Sequence, residues 1–428
     1  MKWNNYLIIG MLLMGVMMPH AVWSQHYYTL EECKGKALQN NVNIKNARNN
    51  LKMAEQEKKE VFTKYFPSVG ATGSGFIADK GLIETEVGGK LLSAVDEGML
   101  GGVSASLPLF TGGQILNTNR LADLSVEVSR IRQRQTEKEV LLATENYYWQ
   151  VVVCKAKLET LRAMEAMVDT LYKDVEASVN AGITTRNDLL QVQLKRNELK
   201  SSHLTLDNAL SLSRMVLGQY IGESMDSVDV ADAVDLNRLP ENPEVLYCNH
   251  RERLYGTDEY RLLEKAVDGS RLQYKKTLGK YLPTVAIGGG YMCDNLMDRS
   301  HPFWVGFATV SIPISDWWGG SHALKRKKLE IRNAENHFSD GSERLLIGMQ
   351  KAWNEVSEAY KQIQIAFQSV EQATENLRLH SDYYKAGTIT MNDLLDAQAL
   401  YQKSKDRYVE ACSLYEVRKV TYLQVTGR

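Results

Sequence analysis

The chain has 428 residues and a formal net charge of −1, so bulk electrostatics gives no case for nucleic acid or anionic lipid as a partner. With 21 tyrosines, 7 tryptophans and only 8 prolines, the composition suits long helices with a few strands and argues against a disordered chain.

Lys2, an apolar run from Tyr6 to Met18, Pro19 and a small-residue site ending Val22-Trp23-Ser24 read as a signal peptide over residues 1–24, with the mature chain starting at Gln25. The run is shorter than the roughly 20 residues that a membrane-spanning helix needs. No later segment matches even that apolar length, so entry into a membrane would be as strands. Cys33 follows Glu31-Glu32 and no cysteine stands at the cleavage site, which argues against a lipid-anchored terminus. The five cysteines, Cys33, Cys154, Cys248, Cys293 and Cys412, include no C-x-x-C pair and read as thiols without a chemical role.

From Thr29 to Lys64 the pattern is helical and free of proline, ending at Tyr65-Phe66-Pro67. A second helical run, through Leu262 and Val267, ends the same way at Tyr281-Leu282-Pro283. Proline cannot continue a helix and holds its predecessor extended, so both sites switch from helix to strand. Val69, Ala71 and Ile77 alternate with Ser68, Thr72 and Ser74; Val103, Ala105, Leu107 and Leu109 alternate with Ser104 and Ser106. Such a period of two predicts a β-hairpin at about 67–110. Its counterpart, about 283–313, carries Val285, Ile287, Tyr291, Phe303, Val305 and Phe307, with a last strand that alternates poorly through Val310 and Ile312. The offset between copies falls from 216 residues at Pro67 and Pro283 to 205 at Pro108 and Pro313, which puts an insertion in the first hairpin loop, near Asp79 to Gly98.

Long helices follow, about 114–180 and 321–385, each long enough for ~100 Å at 1.5 Å per residue. Tyr147, Val151, Cys154, Leu158, Leu161, Glu165, Val168, Tyr172, Val175 and Val179 recur at 4,3 spacing. Ala352, Val356, Ala359, Ile363, Ala366, Val370, Ala373, Leu377, His380 and Tyr384 repeat the pattern, so a coiled-coil seam is written twice. The helices end in twin stretches, AGITTRNDLLQVQ at 181–193 and AGTITMNDLLDAQ at 386–398, offset by 205 residues. Gly182 and Gly387 can take the positive φ of a helix C-terminus, and Thr185 with Asp188 and Thr390 with Asp393 form T-x-x-D capping boxes. Each twin therefore stops one helix and starts another that folds back on it. Tyr401, Tyr408, Tyr415 and Tyr422, at heptad spacing on the second returning helix, are expected to pack against a neighbouring helix.

The predicted organisation is a first repeat, 25–222, with tip 181–190; a linker, 223–243; and a second repeat, 244–428, with tip 386–395. The fold class is mainly α with a small transmembrane β part. Four strands cannot close a sheet, and an open edge in lipid loses its hydrogen bonds at several kcal/mol each. Two chains would give a barrel filled by its own side chains; three would give twelve strands and an aqueous passage.

The Y-F-P-S-V and Y-L-P-T-V strand starts, the L-P-L-F-T-G-G and I-P-I-S-D-W-W-G-G hairpin ends and the A-G-x-x-x-x-N-D-L-L tips together resemble the TolC family of outer membrane efflux proteins over essentially the whole mature chain. The resemblance implies a homotrimeric channel-tunnel in the outer membrane with its helical part in the periplasm. It would be the exit duct of a tripartite efflux pump or type I secretion system, docking a periplasmic adaptor and an inner-membrane transporter at tips that include Gly182, Thr185, Asp188, Gly387 and Thr390. On the family pattern G-x-x-x-x-x-D-x-x-D, the pore constriction maps to Asp393 and Asp396, with Tyr384 taking part in the closing contacts. Some members carry an arginine where this chain has Ile389, so a charged latch at that point is in question, with apolar packing as its replacement. The capping box already explains Asp188 and Asp393. Asp396 caps nothing, lies on the face of Asp393 and has Gln191 as its counterpart, so a threefold axis would gather a ring of carboxylates that attracts cations.

An enzyme is the first rival. No H-E-x-x-H, phosphate loop or nucleophile elbow occurs, the 8 histidines never pair at metal spacing, and neither a cofactor nor a metal is expected. A periplasmic coiled-coil scaffold or adaptor without a pore is the second, and the apolar-alternating hairpins argue against it. Cargo stays open: the methionines beyond the signal peptide form no stripe that would favour copper.

Overall fold

A computed structural model of the chain describes residues 26–79, 83–87, 90–94, 97–224, 228–231, 239–295 and 300–428. The expected signal peptide lies outside the described residues, as do parts of the insertion loop and of the expected linker. In chain order the elements are β1 (His26–Tyr28), α1 (Leu30–Asn40), α2 (Val42–Phe62), β2 (Ser68–Ile77), β3 (Ile83–Val87), β4 (Lys90–Ala94), β5 (Glu97–Thr111), α3 (Gln114–Asn180) and α4 (Arg186–Ile221). They continue with β6 (Val228–Val230), α5 (His250–Leu254), α6 (Asp258–Gly279), β7 (Thr284–Asn295), β8 (His301–Ser311), α7 (Asp316–Lys385) and α8 (Met391–Val425). The fold is mainly helical, α3 and α7 alone holding 67 and 70 residues. No helix among the described residues is long and apolar enough to cross a membrane.

Two compact units share these elements. The first takes the described residues within Met1–Asn41, Glu139–Val245 and Glu355–Thr421. Its core is the predicted seam: Val151, Leu158, Leu161, Val168 and Val175 on α3 are buried, as are Val356, Ala359, Ile363, Ala366, Ala373 and Leu377 on α7. Glu165, the polar member of the first seam, is matched by His203 of α4, Nδ1 lying 2.9 Å from its carboxylate. Tyr408 and Tyr415 of the tyrosine ladder are buried, stacking at a tilt on Phe367 and Tyr360.

Two features of this unit lie beyond the sequence reading. β1 pairs in parallel with β6, which falls inside the segment expected as a linker, and buried Asp229 of β6 sits between Arg214 at 2.7 Å and Lys155 at 3.2 Å. The helix expected to run unbroken from Thr29 to Lys64 breaks at Asn41, whose φ of −60° and ψ of 135° are extended. Asn40 and Asn41 instead turn their amides to the last turn of α4, donating to Ile221 O at 3.2 Å and Tyr220 O at 3.0 Å. Helix-terminal carbonyls need outside donors, and the two asparagines supply them at the expense of local helix.

The second unit takes Val42–Lys138, Leu246–Asn354 and Tyr422–Arg428, described residues only. It holds an antiparallel four-stranded sheet in the order β2-β5-β7-β8, while β3 and β4 pair separately. Directly opposed residues share a face. The register of Val69 with Ala105, Val103 with Tyr291 and Tyr291 with Trp304 therefore assembles one apolar face from Val69, Ala71, Ile77, Val103, Leu107, Ile287, Tyr291, Trp304 and Val310. The other face carries Ser68, Thr72, Ser74, Ser104, Ser106 and a run of glycines. β8 breaks the alternation because Phe303, Val305 and Phe307 lie on this second face. Phe307 fills the space above Gly288, where a Cβ would stand 2.4 Å from its ring, so glycine and phenylalanine are complementary choices. Leu109 falls out of register between Pro108 and Phe110, a bulge at a proline that has no N–H to give the ladder.

Candidate functional site

Both helical hairpin tips belong to the first unit and share one backbone device. At the end of α3, Gly182 N–H donates to Val179 O and Ile183 N–H to Ser178 O; at the end of α7, Gly387 N–H donates to Tyr384 O and Thr388 N–H to Tyr383 O. These paired bonds satisfy carbonyls that the helix leaves open, and they require the left-handed φ of 71° at Gly182 and 72° at Gly387. A β-carbon would meet nothing within 4 Å at either glycine, so only the backbone conformation selects it.

The caps that restart the helices differ in strength. Asp188 accepts from Thr184 Oγ1 at 2.6 Å, Thr185 Oγ1 at 2.9 Å and Thr185 N at 3.3 Å, and its own N–H donates to Thr185 Oγ1. The Thr184 hydroxyl, followed by Thr185, holds this carboxyl below the usual carboxylate range. Among the described residues Asp393 accepts from Thr390 alone, Oγ1 at 2.6 Å and N at 2.9 Å, and Thr390 likewise lowers its pKa. Ile389 occupies the place of Thr184, so the second hydroxyl is absent.

Between the tips lies an open groove of about 1210 Å³. Leu171, Thr184 and Asp188 line it from the first hairpin; Arg378, Tyr384, Ile389, Met391, Leu394 and Gln398 line it from the second. Tyr384 is half-buried against Met391 and Leu394, and its hydroxyl is pushed above its ordinary pKa by burial and then by the charge of Asp188. That coupling brings residues of the two tips together. Gln398 is 2% exposed, and its Oε1 has no hydrogen-bond partner among the described residues. On the rim, the Arg378 guanidinium forks onto Glu375 at 2.7 Å and Asp382 at 3.0 Å.

The predicted site residues thus divide. Gly182, Gly387, Thr185, Thr390, Asp188 and Asp393 build the turns and caps. Tyr384 lines the groove. Asp396 is exposed on the first turns of α8, touched by the Asn392 amide at 3.4 Å, and stands apart from the cap. Arg378 and Gln398 escaped the sequence reading. The i−3 and i+4 acids around Arg378 were visible as a helical charge pattern, whereas the burial of Gln398 has no local signature.

No curated protein sequence matches the chain. Among solved structures, the outer-membrane channel OprN superposes with a TM-score of 0.79 at 17% identity, covering 93% of this chain and 89% of that one. VceC from Vibrio cholerae gives 0.77 at 13% identity, with 93% and 96% covered. The open-state MtrE channel of Neisseria gonorrhoeae gives 0.74 at 15% identity, with 93% and 88% covered. At such identities the likeness establishes the fold. A sequence profile described as outer membrane efflux protein matches residues 34–223 and 263–428, and by that match, over most of its length, the chain belongs to the outer membrane efflux protein family.

Proposed function

We propose that three copies of this chain join their four-stranded sheets into a twelve-stranded barrel, continued by a periplasmic helical tunnel, as the exit duct of a tripartite efflux pump or type I secretion system. One observation carries the reading: the sheet has an apolar face, a second face on which β2 and β5 carry serine, threonine and glycine while β8 adds Phe303, Val305 and Phe307, and two outer strands, β2 and β8, each paired on one side only among the described residues. Lipid tolerates no open backbone edge, so the sheet must close with other copies. A closed barrel then turns the apolar face to lipid and the hydroxyl face to water. A pore-free scaffold has no use for this construction.

The tips are the gate in this reading. Asp393 and Asp396, three residues apart on one face, would be repeated around a threefold axis with Tyr384 packed behind them, forming a constriction that favours cations. Gly182, Thr185, Asp188, Gly387 and Thr390 shape the ends offered to a periplasmic adaptor, itself joined to an inner-membrane transporter. In planar bilayers, the Asp393→Ala/Asp396→Ala variant is expected to raise resting conductance and to lose block by divalent cations; traces indistinguishable from wild type would remove the assignment. Native mass spectrometry of the detergent-extracted protein is expected to give the mass of three chains, and a monomer would sink the duct itself.

A further inference from the structure

We propose that a groove at the foot of the first β-hairpin holds the phosphate of a glycerophospholipid from the periplasmic leaflet, its acyl chains running up along exposed aromatic rings. The inference rests on the membrane reading of the four-stranded sheet. The groove, about 590 Å³, lies in the second unit between the last turn of α2 and the first turns of α3, lined by Lys59, Phe62, Phe66, Leu116 and Arg120 together with the ion-paired Lys58 and Asp123.

Its walls are apolar and uncovered. Phe62 and Phe66 are 53% and 55% exposed and rest edge-on against each other at 5.7 Å; Phe62 meets Tyr65 in the same way at 5.6 Å. These rings pack on one another rather than into a core. Clustered exposed aromatics mark a surface that something apolar covers, and rings with one wet edge favour the headgroup level of a membrane.

Its charges are uncommitted on one side. Lys58 is spent on Asp123 at 2.9 Å. Lys59 and Arg120 are exposed, and neither makes an ion pair or side-chain hydrogen bond among the described residues. A phosphodiester supplies the negative charge and the acceptor oxygens that a guanidinium fork and an ammonium match.

The depth is also right. β2 begins at Ser68, two residues past Phe66, and Arg120 lies six residues into α3, roughly 9 Å along the helix axis. A headgroup layer is about 5–8 Å thick on each side of the hydrocarbon. Phe62 and Phe66 therefore stand nearest the acyl region, while Arg120, just beyond the headgroup layer, leans its long stem toward the N-terminus of α3 and so back to the phosphates, with Lys59 beside it in the groove. The second hairpin has its own rings at this level: Trp317 donates its indole N–H to Tyr281 O at 2.8 Å, and Trp318 is 82% exposed.

The test uses the full chain, extracted in a sugar-based detergent and titrated in native mass spectrometry with phosphatidylglycerol, with diacylglycerol of the same acyl chains and with inorganic phosphate. Phosphatidylglycerol is expected to bind and diacylglycerol not to. Lys59→Gln/Arg120→Gln should weaken the lipid roughly thirtyfold, about what two basic groups near anionic lipid contribute. Phe62→Ser/Phe66→Ser should weaken it through the acyl contacts. Undiminished lipid binding in the charge variant, equal binding of diacylglycerol, binding of inorganic phosphate as tight as that of the lipid, or cross-linking of Arg120→Cys to a second copy would each overturn the proposal. Fractionation of the same variants separates the two levels of argument, because loss of the membrane form would instead refute the embedding of the sheet.

Discussion

The two helical hairpin tips are copies of one turn, and comparing them separates what folding needs from what it does not. Both end a helix on a left-handed glycine and restart it with a threonine and an aspartate, so these features belong to the turn itself. The second tip then departs at several positions. Ile389 replaces Thr184, Met391 replaces Arg186, Tyr384 replaces Val179 and Asp396 replaces Gln191. The first tip invests in its cap, with a second hydroxyl on Asp188. The second invests in packing, and leaves Asp396 exposed and free of the cap. Asp396 is thus the acidic group that the second tip adds outside its cap, and the proposed gate is placed there.

The largest expected break in this comparison is at Met391, 2% exposed in a cluster with Val192, Leu199 and Leu161, against its exposed counterpart Arg186. Met391→Ala is expected to cost about 2–4 kcal/mol, by removal of buried methylenes and the cavity left behind, whereas Arg186→Ala should stay within about 0.5 kcal/mol. Chemical denaturation monitored by circular dichroism reads both. Equal losses would mean that the second tip is not the packed one. Next come the glycines: Gly182→Ala and Gly387→Ala should each cost about 1–2 kcal/mol from the left-handed backbone alone, and the two should match because neither β-carbon would meet a neighbour. A larger loss at one would expose a contact specific to that tip.

How much of this was legible in the sequence depended on the range of the cause. Turns and caps are fixed within six residues, so A-G and T-x-x-D could be read directly, and both occur as read. The 4,3 seam was legible for the same reason, since Val151, Leu158, Val356 and Ile363 repeat at the period of the helix that carries them. Asn41 was not, because it looks like any helical residue until Tyr220 presents a carbonyl from 179 residues away. β1 and β6 have three residues each, too few for a period to show. β8 misled in the opposite way: its apolar residues on both faces blur the alternation, and only Gly288 across the pair explains Phe307. The tip groove joins residues of both hairpins, Leu171 and Thr184 with Arg378 and Gln398, and no local pattern could have announced it.

The caps give a pH test that sharpens the same comparison. Asp188 and Asp393 both titrate below their ordinary value, so each stabilises its tip above the unfolded carboxylate pKa of about 4 and loses that contribution as pH falls through the lower folded value. Amide exchange at the two tips, followed from pH 5 downward, is expected to show both loosening in acid. Thr184→Val should bring the loosening of the first tip to higher pH and leave the second unchanged. Thr185→Ala should lower helix stability by about 1 kcal/mol, as a lost N-cap does. If Thr184→Val shifts nothing, the extra hydroxyl does not strengthen the first cap.

The smallest expected effect lies farther along the returning helices, where Asp406 on α8 takes the place of exposed Ser201 on α4. Among the described residues its Oδ1 is buried without a hydrogen-bond partner, and Lys157, the cation that acts on it, is engaged by Glu410. Burial pushes the Asp406 carboxyl up to about 6, Lys157 pulling it down and Glu410 pushing it further up. The sign follows from proton binding: between about pH 4 and 6 the folded chain holds a proton that the unfolded chain has released, so this residue costs stability as pH rises through that window, and the full cost is present at neutral pH. Asp406→Asn should therefore stabilise the protein at pH 7.5 by about 1 kcal/mol, and by less at pH 4.5, where aspartate is already protonated in the fold. Thermal unfolding at the two pH values distinguishes this from a general amide effect, since an equal gain at both would show that ionising Asp406 carries no pH-linked cost in the fold, and a loss at pH 7.5 would show that Lys157 stabilises the carboxylate after all.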